Sequence, residues 1–63
     1  MNRYELEFTR IQLAQLSARF GDLASLAIAS ANVKQAGRFY DIRATIDEAL
    51  IELDYISTDE NTA

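Results

Sequence analysis

The chain has no cysteine, no histidine, no proline and no tryptophan, and its only two glycines stand at 21 and 37. Each absence closes a class of function. Without thiols or imidazoles there is no disulfide framework, zinc finger, thiol nucleophile, Ser-His-Asp triad or histidine-ligated haem, and a non-enzymatic protein without cofactor or metal is expected. No apolar run approaches the roughly 18 residues of a membrane span. The opening Asn-Arg-Tyr-Glu-Leu-Glu carries acids where a signal peptide needs an unbroken apolar stretch, so no membrane association and a cytoplasmic location are expected. Without proline, and nearly without glycine, little interrupts a helix.

What is present is short and acidic. At 63 residues the chain is one domain at most. A compact chain of this size gains roughly 90 kcal/mol from apolar burial against roughly 95 kcal/mol of ordering entropy, a sum near zero. Small chains close such a gap with disulfides, metals or self-association, and only the last remains, so a homodimer is expected. Ten acidic residues against six basic give a net charge of −4, which weighs against binding nucleic acid by neutralising phosphates. The acidity is concentrated beyond residue 36, where Arg38 and Arg43 face seven carboxylates.

The periodicity reads as helix. Asn2 with Glu5 three residues later has the form of a capping box and starts a first helix near residue 3. Leu6, Leu13, Leu16, Phe20, Leu23 and Ala27 follow at steps of 7, 3, 4, 3 and 4, with Thr9 in the gap. Lys34 suits the negative end of a helix dipole and Gly37 a left-handed position after it, which places the helix over about 3–35 and a turn near Gly37. A second seam, Phe39, Ile42, Ile46, Ala49 or Leu50, Leu53 and Ile56, marks a helix over about 38–56, and residues 57–63 read as a disordered acidic tail. Gly21-Asp22 leaves an alternative open, a break giving three helices, although the seam keeps its spacing across it. The expected fold is all-α: an antiparallel helical hairpin over 1–56, dimerising into a four-helix bundle.

Tyr4, Phe8 and Ile11 form a second apolar stripe well away from the first seam, and Leu26 and Val33 extend it. These three are candidate anchors for a protein partner or for the dimer, with Arg3 and Arg10 at their rim. Asp47, Glu48, Glu52 and Asp54 are candidates for an electrostatic face toward a basic partner; the bland reading is a solvated helix surface. Glu48 and Glu52, four apart, lack the histidine that a di-metal bundle would pair with them. The serines lack any base to activate them.

Three resemblances bear on these residues. Lys34-Gln-Ala-Gly-Arg-Phe-Tyr and Ala49-Leu-Ile-Glu-Leu-Asp resemble the turn and second helix of a tetratricopeptide repeat, which implies a hairpin turning at Gly37. The size, the lack of cysteine and the opening Met-Asn-Arg-Tyr-Glu-Leu-Glu-Phe resemble small helical proteins of the lambdoid phage early region, between the exonuclease and excisionase genes. That likeness implies an accessory regulator that binds a host protein. In length and layout the chain is also similar to the Rop family of plasmid copy-number regulators, which implies the alternative of an RNA-binding dimer presenting Arg3, Arg10, Gln12, Gln15 and Arg19.

Overall fold

A computed structural model describes residues 2–62, with side chains described through residue 58. Two helices, α1 (Arg3–Ala29) and α2 (Val33–Thr62), pack as an antiparallel hairpin, and the described residues contain no strand. Asn2 caps α1 as its sequence requires: its side-chain Oδ1 accepts the Tyr4 N–H at 2.7 Å, and its carbonyl accepts those of Glu5 and Leu6 at 3.1 and 3.2 Å. Gly21 does not break α1, and the Ser25 hydroxyl donates to the Gly21 carbonyl at 3.2 Å within the unbroken helix.

The turn is not at Gly37. It lies at residues 30–32, and α1 ends at Ala29 rather than near 35. The Asn32 N–H donates to the Ala27 carbonyl at 2.8 Å and the Ala31 N–H to that of Ile28 at 2.9 Å, the paired bonds of a Schellman ending. Ala31 takes the left-handed position, φ 61°, at a cost of about 1 kcal/mol relative to glycine. Asn32 then starts α2 at once. Its Oδ1 accepts the Gln35 N–H at 3.2 Å, its amide donates to Gln35 Oε1 at 3.1 Å, and its carbonyl accepts the Ala36 N–H at 3.0 Å. Asn32 and Gln35 thus repeat, thirty residues on, the spacing of Asn2 and Glu5, with the side-chain oxygen here reaching the third N–H where that of Asn2 takes the second. Because this cap begins the helix before residue 37, Gly37 sits in its second turn with ordinary negative φ, and the turn implied by the tetratricopeptide likeness is displaced.

The far end also differs from expectation. The backbone of residues 57–62 continues α2, with Ser57 half-buried and the Thr58 hydroxyl donating to the Asp54 carbonyl at 2.9 Å. The remainder of the expected tail, Ala63 and the side chains of 59–62, lies outside the described residues.

Both helices meet along steps of 3 and 4. Leu6, Leu13, Ser17, Phe20, Ala24 and Ala27 turn inward from α1, with Arg10 completing the spacing. From α2 come Ala36, Phe39, Ile46, Leu50, Leu53 and Ser57, with Arg43 completing theirs. Leu6, Ala24, Ala27, Ala36 and Ser17 are buried, yet no large side chain among the described residues is fully enclosed. Leu6, Leu13, Phe20, Ala27, Phe39, Ile46 and Leu53 lie on the line as the seams placed them, whereas Leu16, Ile42 and Ile56, also expected there, are exposed because Ser17, Arg43 and Ser57 take the inward positions one residue on. The result is a rod 50 Å long and 15 by 11 Å across, with a radius of gyration of 14.7 Å where a compact chain of this length has about 11 Å. It is a single helical layer, and domains ordinarily pack two.

Candidate functional site

The contact line divides the hairpin into two flanks of opposite chemistry. On one side the interhelical contacts are polar. The Ser17 hydroxyl of α1 donates to Asp47 Oδ1 of α2 at 2.6 Å, and within α2 Arg43 Nε lies 4.0 Å from Asp47 Oδ2. A Cβ built on Gly21 would stand 3.0 Å from the Arg43 guanidinium nitrogen, so this glycine makes room for Arg43 where α2 crosses it. Toward the open end Glu7, Arg10 and Asp54 border one cavity with Leu6 and Leu53. Arg10 donates to Glu7 at 2.7 Å. That hydrogen bond, with the attraction of the same guanidinium behind it, holds the Glu7 carboxyl below its ordinary range, and Glu7 raises Arg10 in turn.

The other flank is apolar. One step outside the contact line, α1 carries Leu16 and Leu23 and α2 carries Ile42, Ala49 and Ile56, each series seven apart. Leu23 and Phe39 border a common groove with Ala27, Ser30 and Gln35, and in an antiparallel pair the positions one step before the contact line on each helix fall on the same side. Phe20 and Phe39 meet across the hairpin at 6.1 Å between ring centroids, tilted 42°, and both stay half-buried; Phe39 lines the groove beside Leu23. Leu16, Ile42 and Ile56 are 43 %, 42 % and 45 % exposed. Arg19 and Gln12 rim the flank beside Leu13 and Leu16 on α1, and Arg38 rims it beside Phe39 and Ile42 on α2.

The residues expected to bind partners do not gather at one place. Tyr4 and Phe8, 85 % and 62 % exposed, lie with Ile11 on the outer surface of α1, away from α2. At the same end of the hairpin Ile51 and Tyr55 are exposed beside Asp54 and Thr58 on α2. Arg3 lies at the mouth of the cavity that Glu7 and Arg10 border, and Arg10 is engaged by Glu7. The four carboxylates of α2 are not one face. Asp47 and Asp54, seven apart and one step from the contact line, turn toward α1, where Asp47 is half-buried on Ser17; Glu48 and Glu52 are exposed.

Sequence reasoning missed Ser17, Gly21 and Arg43 as a group. The available signal was the seven-residue interval Arg10, Ser17, Ala24, which runs beside Leu6, Leu13, Phe20, Ala27 and completes a heptad only if a hydroxyl is allowed inside. Among the described residues no three acidic side chains converge as a metal site would require, and no described helix is long and apolar enough to cross a membrane. No family model, no curated protein and no solved structure matches this chain.

Proposed function

We propose that this is a non-enzymatic homodimeric interaction protein, a four-helix bundle made of two hairpins that acts by binding another protein. The observation that carries the reading is the surplus of exposed apolar surface: twelve large apolar or aromatic side chains are exposed among the described residues of a 63-residue chain. Such surface, spread over the outer faces of both helices and along the flanks, exceeds the scattered single residues normal for a monomer. Dimerisation covers one part of it and leaves another for the partner. Tyr4, Phe8 and Ile11, with Arg3 beside them, are the anchors, and Glu48 and Glu52 favour a basic rim on the protein they meet. The likeness to phage early-region proteins makes a host protein in the bacterial cytoplasm the partner.

The test is affinity capture from bacterial lysate with the wild-type chain and with Tyr4→Ser/Phe8→Ser, each after nuclease treatment. A protein retained by the wild type, insensitive to nuclease and lost with the double variant, is the expected result. Retention that disappears with nuclease would favour the RNA-binding alternative and sink this one.

A further inference from the structure

We infer that the second copy docks on the apolar flank carrying Leu16, Leu23, Ile42, Ala49 and Ile56, with the two hairpins antiparallel, and not on the Tyr4, Phe8 and Ile11 stripe. This rests on the homodimer proposed above and specifies its interface.

Area gives the first argument. The chain exposes 4943 Å². A compact monomer of 7.1 kDa exposes about 4,100 Å². The excess is close to the ~800 Å² that each partner buries in a standard interface. The flank is where a covering layer has most effect, because Phe20, Phe39 and Ile46 on the contact line beside it are only half-buried and a second layer would finish enclosing them. Tyr4, Phe8 and Ile11 stand on the far side of α1, where a partner would cover them without completing any core.

Charge gives the orientation. On α1 the rim of the flank runs through Glu5, Gln12 and Arg19, and on α2 through Arg38, Thr45 and Glu52, each at seven-residue steps. Both rims are therefore basic toward the turn and acidic toward the open end. A parallel second copy sets like charge on like charge along both rims. An antiparallel copy sets Arg19 and Arg38 against the acidic end of the other hairpin, the self-complementary pattern that a two-fold axis across the rod generates.

Sedimentation equilibrium at tens of micromolar, with circular dichroism to confirm helix, tests the face with Leu16→Glu, Ile42→Glu and Phe8→Glu. The wild type and Phe8→Glu are expected to be dimers, and the two flank variants to dissociate at least a hundredfold more readily. A dimeric Ile42→Glu beside a monomeric Phe8→Glu would overturn the interface and leave the proposed function standing, whereas a monomeric wild type overturns both. Should the charged variants lose their helix, Leu16→Ala and Ile42→Ala replace them: a dissociation constant raised about tenfold supports the interface, and an unchanged one rejects it. For the orientation, Arg38→Glu is expected to weaken the dimer and Arg38→Glu/Glu52→Arg to restore it. An unchanged or tighter dimer with Arg38→Glu alone rules out the antiparallel arrangement.

Discussion

The two flanks of the hairpin solve the same problem, holding α1 against α2, by opposite means. On the polar flank one short hydrogen bond, from Ser17 to Asp47, crosses between the helices, and a long ion pair within α2 sets Arg43 beside the same carboxylate. Charged groups half open to water contribute little net stabilisation, since each trades hydration for a partner. Beside the apolar flank the contact line holds larger side chains, Phe20, Phe39 and Ile46, but leaves them half-buried. The contact of Ser17 with Asp47 is satisfied as it stands, whereas the apolar flank is stabilised further only when something covers it.

The comparison is most exposed to failure at Phe39. Phe39→Ala removes the ring that meets Phe20 and is expected to cost about 3 kcal/mol in chemical denaturation, at the lower end for phenylalanine because the ring is half-buried. A cost below about 1 kcal/mol would mean that the flank contributes no core. Ser17→Ala breaks the bond to Asp47 on the other flank, but Asp47 keeps half its side chain in water and can rehydrate, so about 1 kcal/mol is expected in the same assay. If Ser17→Ala proves costlier than Phe39→Ala, the roles of the two flanks are reversed.

The glycines sharpen the contrast. A methyl on Gly37 meets nothing within 4 Å, so Gly37→Ala should raise stability by about 0.8 kcal/mol through helix propensity alone, visible as a higher Tm. Gly21→Ala gains the same propensity but presses on the Arg43 guanidinium, and a rise under half as large is expected. Equal gains would show that the Arg43 guanidinium moves aside at no cost. The smallest effect concerns Glu7. Its folded carboxyl is held low chiefly by the Arg10 hydrogen bond, so any stability from the pair is present above the unfolded carboxylate value of 4.5 and is lost as pH falls through the lower folded one. Arg10→Gln should return the Glu7 titration, followed by NMR, toward its ordinary position.

Much of this molecule was written locally. Asn2 ahead of Glu5, the scarcity of glycine, the absence of proline and the 3 and 4 spacing of leucines determine a long first helix, because each acts within one or two turns of chain. The same local chemistry at Asn32 and Gln35 fixes the start of α2, and it was legible; Gly37 drew the turn away from it, since glycine is the commoner occupant of a left-handed position that Ala31 fills here at a cost. What no local rule could supply is the line along which the helices touch. Leu16 and Ser17 are neighbours in sequence, and the apolar one suggests itself for the interior. The structure buries the serine, because the hydroxyl finds Asp47 thirty residues away and because Gly21 lets Arg43 approach. That choice set Leu16, Ile42 and Ile56 on an open flank and separated Asp47 and Asp54 from Glu48 and Glu52. Helix formation is settled by near neighbours, but which face turns inward depends on a second helix whose own best face is also undecided, and only the packed pair resolves both.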